Sequence, residues 1–306
     1  MKTSLSNAGV RAGLPIVVVT LLWGCNWPML KIGVSEIPPL TFRGLTLSFA
    51  ALAMLAIAKL SGDSVQIPRG WRIKVAILAF FNIALWNGFT LFGVQQMSAG
   101  RSVILAYTMP LWATLIATFM LEEPLSPRKL TGLVLGMAGM ALLIGDEIAA
   151  VGRAPFGASM ILIAALSWGF GTVLLRKWRP PIPQRALSFW LMMLGWIPLA
   201  ALVPVFDPQP IGRLAQISGA AWFALLYNIF LSGAAANWAW FILARTLPVA
   251  VSSLASLPVP VVGVISGMVL LGERPRLQEW LALGLVVVAL FIVLFQPRSA
   301  RSASGN

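Results

Sequence analysis

Trp23, Asn26 and Trp27 stand at i, i+3 and i+4, the spacing that puts three side chains on one face of a helix. Asn82, Trp86 and Phe89 share a face in the same way, as do Tyr107, Pro110 and Thr114. Further along come Trp168 with Thr172, Tyr227 and Asn228 with Ser232, and Ser253 and Ser256 with Pro260. The chemistry on offer is non-covalent. Aromatic faces attract an ammonium, amides and hydroxyls bond a carboxylate, and prolines free backbone carbonyls. A small zwitterion with an apolar side chain matches such a lining. Enzyme chemistry does not. The chain has no histidine, a single cysteine (Cys25), no H-E-x-x-H and no G-x-S-x-G. No nucleophile with its base and no metal centre can be assembled, so neither a metal nor a cofactor is expected.

Those faces must sit on membrane-spanning helices. Apolar residues make up 59% of the 306, while 10% are charged where a soluble domain carries about 25%. Ten apolar segments are predicted, at 13–33, 39–59, 73–94, 101–121, 129–146, 156–177, 185–206, 219–243, 248–271 and 277–295. The expected class is therefore an all-α, multi-pass protein of the cell (inner) membrane with the lipid bilayer as its surroundings. The net charge of +13 comes from basic residues scattered over short connections, not gathered on a nucleic-acid-binding face. With the amino terminus cytoplasmic, about two thirds of those residues fall on the cytoplasmic side, which predicts both termini inside. The first segment is too long for a signal-peptide core and is expected to stay as a helix. Residues 298–306 read as a disordered tail.

The chain repeats itself. WGCNWPMLKIG from Trp23 is echoed by WGFGTVLLRKW from Trp168 at an offset of 145, which puts Lys31 opposite Arg176. Phe81-Asn82 matches Tyr227-Asn228 at 146, and Pro110, Leu121 and Glu123 match Pro260, Leu271 and Glu273 at 150. Two five-helix units are expected, 1–148 and 149–297. An odd number of spans threads the second through the membrane in the opposite sense to the first. Inverted halves that rock against each other expose one central site alternately to each side. A receptor or a purely structural membrane protein has no need of that arrangement.

The Trp-Gly openings of the first helix in each half, Arg43 at the start of the second helix, and the Pro110 to Glu123 and Pro260 to Glu273 stretches resemble the drug/metabolite transporter superfamily, EamA family. The likeness covers nearly all of 1–297. Ala106 to Trp112 and Ala236 to Leu243 are most similar to the YddG-type amino-acid exporters. The resemblance implies export of small metabolites, with an amino acid as the substrate partner. The direction of transport comes from the resemblance alone.

All nine acids fall in connections or at helix ends, leaving no buried carboxylate to carry a proton. Facilitated diffusion without proton coupling is expected. The small multidrug pumps of the superfamily bind cations through a glutamate in the first helix, and this first helix has none. Lys31, Arg43, Arg101 and Arg176 are placed near helix ends, as electrostatic guides for a carboxylate or as structural snorkelling cations. Export of phosphorylated or other anionic metabolites, and proton-coupled multidrug export, are the alternative functions. Pro28, Pro110, Pro258 and Pro260 are expected to kink their helices. Helices 5 and 10 lack polar faces and are placed at the periphery, as scaffold or as a homodimer contact. The Gly132/Gly136 and Gly263/Gly267 pairs allow close approach of a neighbouring helix or another subunit.

Overall fold

A computed structural model describes residues 3–151, 156–207, 214–237, 239 and 258–294, with side chains described for 14–145, 156–207, 214–237, 239 and 258–293. The regular elements among these residues are helices, with no strand among them. In chain order the helices are α1 (Thr3–Gly24), α2 (Asn26–Glu36), α3 (Pro39–Leu60), α4 (Arg72–Ala79), α5 (Trp86–Gln96), α6 (Ala99–Ala106), α7 (Met109–Met120) and α8 (Pro127–Val151). There follow α9 (Phe156–Trp178), α10 (Gln184–Ala200), α11 (Val203–Phe206), α12 (Gly219–Leu226), α13 (Val259–Leu271) and α14 (Leu277–Leu294). Six stretches are long and apolar enough to cross a membrane: Leu14–Glu36, Pro39–Leu60, Arg69–Gln96, Ala99–Met120, Pro127–Gly145 and Phe156–Trp178. Gly219–Ala235, Val259–Leu271 and Leu277–Val293 are shorter apolar helices. The chain is a multi-pass membrane protein.

Three predicted spans are broken near prolines. The first breaks at Cys25, because Pro28 has no N–H to give the Gly24 carbonyl. The hydroxyl of Ser266 on α13 lies 3.5 Å from that freed oxygen. The fourth breaks at Tyr107–Thr108, because Pro110 cannot bond back to Ala106. The seventh, predicted as continuous over 185–206, ends at Ala200 and resumes at Val203, with Pro198 inside the helix and Pro204 restarting it.

Two spans contain π-helical turns that a 3.6-residue period does not anticipate, Phe80–Leu85 between α4 and α5 and Tyr227–Ala235 after α12. Asparagines occupy carbonyls at both. The Asn82 and Asn87 amides donate to Leu78 O at 3.0 Å and Ile83 O at 2.7 Å. Those of Asn228 and Asn237 donate to Ala224 O at 3.1 Å and Gly233 O at 2.7 Å. An amide that takes a carbonyl from the ladder favours the wider turn.

Helices 5 and 10 of the sequence reading, α8 and α14, pack along each other. A Cβ on Gly132 would press on Val293, and one on Gly139 would stand 3.1 Å from Ala282 O. Gly263 faces Val103 of α6. Both glycine pairs therefore meet neighbouring helices of the same chain, not another subunit.

The two ends of the bundle are fastened differently. At the end holding Glu36, carboxylates grip helix starts, beside an ion pair of Arg101 with Glu279 (2.7 Å). Asp207 accepts from Thr41 N (2.6 Å) and Thr41 Oγ1 (2.9 Å), Glu273 from Ala99 N (2.6 Å) and Gly100 N (3.0 Å), and Glu36 from Ser218 N and Oγ (2.6 Å each). At the opposite end the fastenings are ion pairs, Arg185 to Asp63 (2.6 Å) and Glu123 to Arg176 and Lys129.

Candidate functional site

The buried core places Trp27 and Tyr107 in one cluster, with Trp23, Trp86 and Trp112 packed against it. Trp168 joins through its ring, 5.0 Å from that of Trp86 at an interplanar angle of 57°. Five aromatic residues of the sequence reading thus belong to one continuous packed core, contributed by α1, α2, α5, α9 and the α6–α7 junction. Backbone breaks sit beside three of them, Cys25 between Trp23 and Trp27, and the α6–α7 junction at Tyr107 itself.

Other expected site residues lie elsewhere or turn toward their own helix. Asn82 is buried, bonds Leu78 O, and packs its amide against Gly171 of α9, where any Cβ would collide with it. Asn228 is likewise buried and bonded within its helix. The Tyr227 hydroxyl donates to Leu22 O at 2.9 Å, and Tyr227 packs with Met29 and Ala224, outside the aromatic cluster. Thr172 and Ser232 are half-buried. Pro110 and Pro260 open α7 and α13, and Thr114 Oγ1 donates to Pro110 O at 2.8 Å. Ser253 and Ser256 lie outside the described residues.

The basic residues divide. Lys31 donates to Val94 O, Gln95 O and Met97 O, each at 2.9 Å, closing the carboxyl end of α5. Arg101 pairs with Glu279 at 2.7 Å and Arg176 with Glu123. Burial opposes ionisation of Glu123, but Arg176 and then Lys129 outweigh it and hold the carboxyl below its ordinary value. Arg43 departs from the expectation of a snorkelling cation at a helix end. It is 9% exposed, and its Nε–H has no acceptor.

Sequence reasoning missed Trp112 and Thr90. Trp112 is off the Tyr107/Pro110/Thr114 face of an unbroken helix, and the break at Tyr107–Thr108 resets the register that this face assumed. Thr90 lies one turn beyond Trp86, and that spacing was the available signal. Trp112 Nε1, Thr90 Oγ1, Arg43 Nε and Asn26 Oδ1 are each buried without a hydrogen-bond partner. The described acids, Glu36, Asp63, Glu122, Glu123, Asp207, Glu273 and Glu279, all stand at helix ends or in connections, as expected. Asp146 and Glu147 fall outside the described side chains. No group of three or more metal-ligating side chains occurs among the described residues. A cleft of 280 Å³ lined by Pro38, Pro39, Phe92 and Asp207 opens at the Glu36 end, and its lining includes none of the aromatic cluster.

The EamA-like transporter family matches residues 11–145 and again residues 155–295. The chain belongs to this family. Among its relatives, "Uncharacterized transporter YoaV" of Bacillus subtilis is 29% identical over 287 residues, covering 94% of this chain and 97% of that protein. A "Probable amino-acid metabolite efflux pump" of Escherichia coli is 28% identical over 296 residues, covering 93% and 95%. One crystal structure superposes with a TM-score of 0.65 over 93% of this chain and 97% of the other, at 19% identity, a likeness of fold. The EamA family and these relatives are transporters. Small-metabolite export is the activity to which this EamA member's relatives point.

Proposed function

We propose that this EamA protein exports neutral or aromatic amino acids by alternating access between two inverted five-helix halves, with ten spans and both termini in the cytoplasm of a cell whose inner membrane it crosses. The observation carrying this reading is the aromatic cluster of Trp23, Trp27, Trp86, Tyr107 and Trp168, gathered beside two breaks in the backbone ladder. Rings at a helix interruption offer apolar area for a side chain and π-faces for an ammonium, while the interruption offers free backbone groups. The two family matches of similar length support the duplication, and the printed name of the Escherichia coli relative supports amino acids.

Coupling is expected to be absent. The described acids are bound up in end clasps and ion pairs or stand exposed, so none of them is left in the interior to exchange a proton during the cycle. The test is counterflow of labelled L-phenylalanine by purified protein in liposomes. Flux that does not respond to an imposed proton gradient is the expected result. Acceleration by the gradient refutes the uncoupled cycle, and absence of flux for every neutral and aromatic amino acid refutes the substrate class.

A further inference from the structure

Among the described residues Arg43 is the basic side chain that is buried, and neither the end clasps nor the ion pairs explain it. It is the fifth residue of α3, over nine-tenths buried, and makes no ion pair among the described residues. A head that snorkelled to the nearby helix end would be exposed. On a 3.6-residue helix Arg43 shares its face with Leu47 and Ala50. Leu47 packs with Ala84 of the first π-helical turn, and Ala50 abuts Gly233 of the second. Arg43 therefore projects from the stripe of α3 that faces both interrupted spans. The neighbouring helix α2 presents the complementary vacancy, Asn26 Oδ1, buried without a donor, one residue before Trp27.

We infer that Arg43 is the anchor for the substrate's carboxylate, with Asn26 Oδ1 accepting from its ammonium. This inference rests on the transport reading above and names the two ends of the substrate. A buried guanidinium whose Nε–H has no acceptor is costly to keep, and a carboxylate is the planar anion its fork fits. One guanidinium balances one negative charge. A phosphorylated metabolite, carrying nearly two, calls for further cations beside Arg43, and Lys31, Arg101 and Arg176 are engaged at the bundle ends. The zwitterion supplies what each orphan lacks, an acceptor for Arg43 and a donor for Asn26.

The test uses the full chain in liposomes with labelled L-phenylalanine. In the wild-type protein, 3-phenylpropionate, which keeps the carboxylate, is expected to compete at least about 10-fold better than phenethylamine, which keeps only the ammonium. Equal competition, or better competition by the amine, overturns the inference while leaving phenylalanine transport standing. Absence of phenylalanine flux in the wild type refutes the transport reading instead. The assignment to Arg43 is made in a Cys25→Ser background, which removes the chain's single thiol. Arg43→Cys is expected to lower phenylalanine flux about 10-fold or more, with recovery after a thiol reagent that installs an ammonium and none after a neutral reagent of similar size. Undiminished flux, or equal recovery with both reagents, overturns it. Arg43→Lys, which keeps the charge and loses the fork, is expected to retain the preference for the carboxylate competitor. A Lys variant that transports phenylalanine without that preference also overturns it.

Discussion

Replacing Glu273 with glutamine removes a charge from the start of α6 without changing side-chain size. The first N–H groups of that helix have no partner within it. Ser98 takes one, accepting from Arg101 N at 3.2 Å, and Glu273 takes Ala99 N and Gly100 N at 2.6 and 3.0 Å. A glutamine keeps one acceptor and turns an NH2 group toward the other donor. The loss is one charge-assisted bond, about 1.5–3 kcal/mol, plus the attraction of a negative charge to the helix start, about 0.3–1 kcal/mol. A total of about 2–4 kcal/mol corresponds to a melting temperature lower by roughly 3–6 °C in a chain of this size. Cys25 is the only thiol and is half-buried, so a thiol-reactive fluorogenic dye reads unfolding of the purified protein in detergent. Glu273→Asp keeps the charge on a shorter stem and should melt between the two. Should Glu273→Gln melt within about 1 °C of wild type, the capping argument is wrong.

Four further outcomes are expected. Glu122 has φ 55 and stands where the second half has Gly272 at φ 67, so Glu122→Gly should relieve a left-handed strain of about 1 kcal/mol and raise the melting temperature. The Glu123 carboxyl is held below its ordinary value of 4.5, so its ion pairs contribute fully above that pH and fade as pH falls through the lower, folded value. Melting curves of wild type and Glu123→Gln should accordingly differ at pH 7 and converge in acid. Gly171→Ala drives a methyl into the Asn82 amide and should cost about 1–3 kcal/mol, while the Asn82→Ala background should recover much of that loss in a double-mutant cycle. Trp168→Ala removes the ring against Trp86 and should change the order of preference among amino acids in a competition panel while the protein stays monodisperse; an unchanged order assigns the pair to packing.

Helix existence was legible because a span must be both long and apolar, and hydropathy measures both. The kinks expected at Pro28 and Pro110 were legible too, since a missing N–H acts locally whatever the surroundings. Register within the spans was not. The π-helical turns at Asn82 and Asn228 come from amides competing for carbonyls, a contest whose outcome depends on what packs against them, such as Gly171. The break at Tyr107–Thr108 turned Trp112 inward, away from the face a continuous helix would assign it. The acid clasps were also invisible. Glu273 and Ala99 are 174 residues apart, and sequence alone places Glu273 only in a connection. Arg43 was legible as a position near a helix end, but its lack of a partner was not, because that is a property of its neighbours.

The contrast between the two ends of the bundle has a mechanical consequence. A carboxylate held against main-chain N–H groups at 2.6 Å has almost no slack, and less than about an ångström of travel breaks the contact. The long side chains of Arg185, Lys129 and Arg176 can swing and stay near Asp63 and Glu123 while their helices slide by several times that distance. The clasps at the Glu36 end behave as rivets that part together, with the Arg101–Glu279 pair as a tether beside them, and the opposite end is a set of tethers that lengthen.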